Sequence, residues 1–375
     1  MELNYKYLNL YTLPTVNGDI VKNSKFDVAV AGFPPQPQFS LGFHYYIHQS
    51  YELFQNAIKN QGNKNFYWVI NGFEMYLTDQ EKKNELIDKV VLYSELNKSD
   101  VNDPMFLQIW EIFMLSDLFK KTNKIHINSD KSKFIESAIN VFTKKVVKSS
   151  FDIVKKDYDL SIITLKDRNK SLLDNESFLF KDILLNINDS LSNLKNTGSL
   201  IVELDDLFTL PTNKLLFLLR NLFDNAYIYK PYYSRPTESQ KYLICTNFNI
   251  KMYDLISKKL QKSITLIEKN QNFIVDFLSD IEIPRNFKTV LNFINVNIAG
   301  EQHKYKNKIM NYINSEDYFG QEYQDASNRQ LDCTEYFLSH FCPIDTNDYS
   351  DIRKEFMAEI NKRTEEIKQF HNIVV

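Results

Sequence analysis

The sequence predicts an α/β fold, and three neighbouring stretches in its second half predict it. Residues 200–202 are the short β-branched run Leu200-Ile201-Val202 after a turn at Gly198, which reads as a buried strand. Residues 212–223 repeat Leu215, Leu216, Leu218, Leu219, Leu222 and Phe223 at helical spacing, with Pro211 as the start signal. Residues 226–230 and 241–245 then alternate as strands across the loop PYYSRPTES, so two late strands are expected to pair antiparallel.

Taken from the start, the chain opens on an irregular arm, a strand-like 26–31 and the stiff, extended loop GFPPQPQFSLG with Pro34, Pro35 and Pro37. A helix is expected over 45–60. Residues 65–74 (NFYWVINGFE) read as a buried aromatic strand in preference to a stacking platform. His44 and His48 have the spacing of a metal-ligand pair but no third ligand nearby, so no metal is expected. From Asn102-Asp103-Pro104 the run MFLQIWEIFMLSDLF is an amphipathic helix with its cap and first-turn proline in place. A strand at 125–127, the polar loop NSDKSK, the helix FIESAINVF and a strand at 158–165 follow. Beyond residue 249 the pattern is helical to the end.

With 375 residues and 43% hydrophobic content the chain can bury a large core. The formal charge of −3 provides no global basic field, so any nucleic-acid binding must be local. Candidate basic faces are Lys258, Lys259 and Lys262 with Lys304, Lys306 and Lys308, and Lys144, Lys145, Lys148, Lys155 and Lys156; solvated helix surfaces are the commoner meaning of such runs. Cys245, Cys333 and Cys342 are too few and scattered for a disulfide framework or a paired zinc site. The eight glycines never stand closer than ten residues apart, which disfavours a P-loop or a dinucleotide-binding fingerprint, since both need clustered glycines. No segment resembles a signal peptide and no run approaches the ~18 apolar residues of a membrane helix, so a soluble, non-secreted protein without a membrane partner is expected.

The ordered positions Lys230, Pro231, Ser234, Arg235, Pro236, Ser239 and Tyr242 resemble the late segment of the FtsJ/RrmJ-like 2′-O-ribose methyltransferases, especially those of large DNA viruses. The resemblance covers roughly residues 25–320, weakly outside the central loop. It implies a Rossmann-like methyltransferase sheet over 96–250, with an N-terminal extension at 1–95 and a helical C-terminal region at 251–375.

In that family a Lys-Asp-Lys-Glu tetrad takes the proton from a ribose 2′-hydroxyl, one lysine being depressed in pKa by its neighbours. Carried over, the four positions are Gln108, Thr164, Glu203 and Gln240, and all four are changed. Asp167 is a reserve candidate for the aspartate, and Asp205 and Asp206 could form a rearranged carboxylate site. The cofactor loop, of Pro-Gly-Gly type in the family, falls on Lys131, Ser132 and Lys133, whose side chains would occupy the volume of S-adenosylmethionine. The resemblance therefore implies a degenerate homologue without catalytic residues, binding no cofactor, with Lys230, Ser234 and Arg235 as RNA-binding candidates. Its setting would be a viral transcription, mRNA-capping or virion assembly, in a cytoplasmic virus factory or the virion. An active S-adenosylmethionine-dependent cap 2′-O-methyltransferase with a divergent site is the alternative.

Overall fold

The computed structural model describes residues 9–15, 18–60, 80–166 apart from 117, 121, 148 and 149, and 175–315, with scattered positions beyond that include 337–339 and Phe341. The expected strand at 65–74, Asp167, the His48 side chain, Cys333 and Cys342 lie outside the described residues. The first half contains β1 (Asn9–Thr12), α1 (Gly18–Asn23), β2 (Val28–Ala31), α2 (Leu41–Asn60), α3 (Gln80–Ser94), α4 (Lys98–Val101), α5 (Pro104–Leu115), β3 (Lys124–Asn128), α6 (Ser132–Phe142), β4 (Asp152–Ile153) and β5 (Tyr158–Ile163). The second half contains α7 (Asn175–Asn193), β6 (Leu194–Leu204), α8 (Leu210–Leu222), β7 (Phe223–Lys230), β8 (Lys241–Phe248), α9 (Ile250–Lys269), β9 (Phe273–Phe277) and α10 (Arg285–Ser315).

Seven strands form one mixed sheet in the order β1-β7-β8-β6-β5-β3-β4. Strands β4, β3, β5 and β6 run parallel, whereas β8 is antiparallel to both β6 and β7, as the late pair of the sequence requires. Helices flank the sheet, giving a mixed α/β architecture consistent with a Rossmann-like methyltransferase fold. The connection through β4 leads to one side of β3 and β5 lies on the other. The order therefore reverses between β3 and β5, and their carboxyl ends open onto the crevice where such sheets bind ligands.

Both faces of the central strands are buried. Leu200, Val202, Leu243 and Cys245 face the layer of α7, α8, α9 and α10, while Ile201, Tyr242 and Ile244 face α5 and α6. That alternation of period two within an almost wholly apolar run marks a strand covered on both sides.

Two features differ from the sequence expectation. Gly198 is not the turn before a strand but lies inside β6, which begins at Leu194. A register shift between Tyr158 and Leu160 and a positive φ of 64° at Thr197 mark a bulge there. A Cβ on Gly198 would come within 2.8 Å of the Lys195 carbonyl oxygen, so only glycine fits. The N-terminal arm, read as irregular, supplies β1, which pairs antiparallel with β7 and extends the sheet. Within the 26–31 segment, Val28–Ala31 forms β2, whose partner is β9 in a separate two-stranded ribbon.

Candidate functional site

The carboxyl ends of the parallel strands, together with α5, bring three of the four tetrad positions into one buried network. Asp103 caps α5 by accepting from the Met105 amide at 2.8 Å, and Pro104 occupies the first turn, which fixes the rotation of the helix. Gln108 then points at the end of β6 and the start of β8. Its amide and that of Gln240 bond reciprocally, Gln240 Nε2 to Gln108 Oε1 at 2.9 Å and Gln108 Nε2 to Gln240 Oε1 at 3.3 Å. Gln240 Nε2 also donates to Glu203 Oε1 at 2.5 Å, and the Tyr242 hydroxyl donates to Gln108 Oε1 at 2.8 Å. The second carboxylate oxygen of Glu203 accepts from the Leu165 amide at 2.8 Å. All these side chains are buried. The network is a set of amides, a phenol and a carboxylate that satisfy one another.

Thr164 stands apart from that network. Its hydroxyl donates to Ser129 Oγ at 2.6 Å and its amide to the Asn128 carbonyl at 3.1 Å, joining the ends of β3 and β5 across the point where the strand order reverses. Lys131 and Lys133 turn toward α4 and α5, pairing with Asp103 at 3.2 Å and Asp100 at 2.7 Å. Ser132 opens α6, whose preceding turn is held by Ser129 Oγ accepting from the Lys131 amide at 3.0 Å.

The loop 231–240 is drawn inward. Lys230 and Ser234, read from the sequence as RNA contacts, are 6% and 5% exposed. The Lys230 ammonium donates to the carbonyls of Glu238 (2.8 Å) and Gln240 (3.1 Å), and Ser234 Oγ to the Pro231 carbonyl at 2.5 Å. Arg235 lies at the surface with its side chain 34% exposed and pairs with Glu238 at 3.3 Å. Of the basic faces, Lys144 and Lys145 both bond Glu95, and Lys259 bonds the carbonyls of Lys22 and Ser24.

A second polar group follows β6. Lys241 is buried and its ammonium donates to the Asp205 carbonyl, while the Asp205 carboxylate accepts from Asn175 at 2.6 Å. Burial, then the neighbouring Asp205 charge, push the Asp206 carboxyl up to about 7, against the opposing pull of Lys241 and Lys306. Glu176 is also raised by burial, although the Phe208 and Thr209 amides and the Thr209 hydroxyl all donate to it. With His44, whose ring meets Phe208 edge-on at 5.3 Å, and the prolines Pro35 and Pro37, Glu176 and Asp206 line a cavity of about 240 Å³. Among the described residues no three His, Cys, Asp or Glu side chains are placed to hold a metal ion. Among the same residues no helix is long and apolar enough to cross a membrane.

Sequence reading missed Glu111. Fully buried on α5, it accepts from the Tyr229 hydroxyl and from the Tyr232 and Tyr233 amides, each at 2.8 Å. Desolvation pushes its carboxyl up to about 8, and the three donors oppose that shift. The signal was present as a lone acid between Trp110 and Ile112 in an otherwise apolar run.

An uncharacterized protein of Acanthamoeba polyphaga mimivirus is 29% identical over 65% of this chain and 67% of its own length. The inactive cap-specific mRNA (nucleoside-2′-O-)-methyltransferase 1B of Caenorhabditis briggsae is 24% identical over 40% of this chain and 18% of its own length. The cap-specific mRNA (nucleoside-2′-O-)-methyltransferase 2 of Drosophila melanogaster is 28% identical over 25% of this chain and 13% of its own length. The matches thus span less than a fifth of either cap methyltransferase. No family model matches the chain. Together with the sheet order, these distant homologies support a methyltransferase family and a viral relative.

Proposed function

We propose that this protein is a catalytically inactive FtsJ-like homologue that serves as an RNA-binding or scaffold subunit in a viral transcription, mRNA-capping or virion assembly. The observation that carries the reading is the buried Gln108–Gln240–Glu203 network. A 2′-hydroxyl is deprotonated by a group whose pKa is brought near neutrality, and the two amides cannot take a proton at any working pH. Glu203 is a carboxylate where the family places a lysine, and both its oxygens are occupied by internal donors.

The residues at the cofactor position do not fit S-adenosylmethionine. Lys131, Ser132 and Lys133 carry side chains where the family has hydrogens, and the Ser129–Thr164 bond ties together the strand ends between which the cofactor would lie. Calorimetric titration with S-adenosylmethionine tests this: no heat of binding up to millimolar ligand is expected, and a micromolar dissociation constant would overturn it. The second reading, an active cap 2′-O-methyltransferase with a divergent site, draws on Lys241, a buried lysine adjacent to Gln240 that contacts the Asp205 carbonyl beside the carboxylate of Asp206. Methyl transfer to capped RNA that is lost in Lys241→Met would establish it.

A further inference from the structure

The loop 231–240 is anchored from below by one turn of α5. Gln108 Nε2 donates to the Tyr233 carbonyl at 2.9 Å, and three residues further along the same helix Glu111 receives the Tyr232 and Tyr233 amides, one on each carboxylate oxygen. Two successive backbone N–H groups turned toward one point form a small concavity for an acceptor group, and here the acceptor comes from within the chain. The Tyr229 hydroxyl, at the end of β7 just before the loop, is the third donor.

Glu111 is expensive as packing. It is completely buried; among the described residues the Tyr229 phenol is its side-chain donor, Tyr232 and Tyr233 reach it through their backbone amides, and Trp110, Phe337 and Phe341 belong to the same apolar cluster. Among the described residues no lysine or arginine pairs with it. A buried carboxylate without a cation costs several kcal/mol, which an apolar side chain of similar size would avoid. What such a side chain cannot supply is two acceptor oxygens held at the spacing of two consecutive amides.

We infer that Glu111 is the positioning residue that sets the conformation of loop 231–240 and thereby presents Arg235 to the phosphates of single-stranded RNA. The inference rests on the RNA-binding reading above. Opening of the loop hydrates the carboxylate and returns it to its ordinary range, whereas the closed loop holds it at about 8. The closed loop therefore binds the extra proton, and rising pH favours opening between about 5 and 8, by up to about tenfold per pH unit.

The test is amide hydrogen exchange, corrected for intrinsic rates, together with RNA affinity. In the native chain the protection of the Tyr232 and Tyr233 amides should fall across that pH window, while Ile201 in the central sheet keeps its protection. In Glu111→Gln the side chain is neutral at every pH and keeps one acceptor oxygen, so the fall of protection with pH should vanish, and affinity for a single-stranded oligonucleotide, which in the native chain should drop as the loop opens across the window, should no longer follow that opening. Should that variant fail to fold, Tyr229→Phe removes one donor without touching the loop; its pH window should extend above that of the native chain, because the lost bond favoured the ionised form. Protection of Tyr232 and Tyr233 whose fall with pH persists in Glu111→Gln, or that moves only in step with Ile201, would overturn the positioning role. In Tyr229→Phe, a window identical to the native one would do the same. Lost protection with undiminished affinity would overturn the presentation of Arg235. Failure of the native chain to bind RNA would instead remove the RNA reading, with exchange still deciding the role of Glu111.

Discussion

Glu203 and Glu111 are both buried acids that accept hydrogen bonds from within the chain. Glu203 receives a side-chain amide and a backbone amide at the strand ends. Glu111 receives three donors, and burial pushes its carboxyl up to about 8 from an ordinary 4.5. The consequence for stability has a definite sign. A carboxyl whose folded pKa lies above its unfolded value binds more protons in the native state throughout the interval between the two. Its contribution is fully present below pH 4.5 and is lost as the pH rises to about 8. Unfolding free energy from urea titrations should therefore decline across that window by ~1 kcal/mol per pH unit, and the difference between native chain and Glu111→Gln isolates the slope from Asp206 and Glu176, which act in the same direction. A slope identical in the two proteins would mean that the carboxyl is ionised at ordinary pH, with its three donors outweighing burial.

At the scale of elements, most of the sheet was legible because the relevant signals are local. The apolar alternation of β6, β7 and β8 and the capped start of α5 depend on neighbours in sequence; β7, β8 and α5 lie where the pattern places them within a few residues, while β6 begins at Leu194, ahead of the expected Leu200. Two elements were not legible for a physical reason. Strand β1 is only Asn9–Thr12, and its pairing with Tyr227 to Lys230 is a contact across more than half the chain that no local pattern encodes. The bulge at Thr197-Gly198 has the sequence of a turn, because a positive φ serves a bulge and a turn equally well. The site divides in the same way. Gln108, Glu203 and Gln240 converge in one hydrogen-bonded network, whereas the inward direction of Lys230 and Ser234 depends on carbonyls in their own loop.

The C-terminal segment adds an element that a pattern of charged helices did not reveal. Phe337 and Phe341 are fully buried, stacked on each other at 4.9 Å and set against Tyr233 and Tyr232, while the Trp110 indole donates to the Phe341 carbonyl at 2.5 Å. Phe337 and Phe341 thus pack against Trp110 of α5 and the tyrosines of the loop that Glu111 holds. Phe341→Ala should cost about 3 kcal/mol of unfolding free energy, since truncation leaves a cavity among aromatic rings. A cost below ~0.5 kcal/mol in urea unfolding would mean that the segment is dispensable to this core.

The whole molecule carries 45 basic and 48 acidic residues, so its net field repels polyanions slightly and any RNA affinity has to come from a few placed cations. Of the loop candidates, Lys230 has its ammonium on two internal carbonyls and Ser234 is capped within the turn, whereas Arg235 reaches the surface. Neutralising Lys230 would therefore act through stability, because it leaves the carbonyls of Glu238 and of the buried Gln240 without that donor. The Arg235–Glu238 pair is an exposed contact of the kind that contributes under ~1 kcal/mol to folding. If Arg235 meets a phosphate, Arg235→Ala should reduce the slope of log affinity against log salt by about one unit, the release of a single counterion, while the melting temperature changes little. An unchanged salt slope accompanied by a large drop in melting temperature would show that Arg235 is a structural staple of the loop, and the RNA contact would then have to be sought elsewhere on the surface.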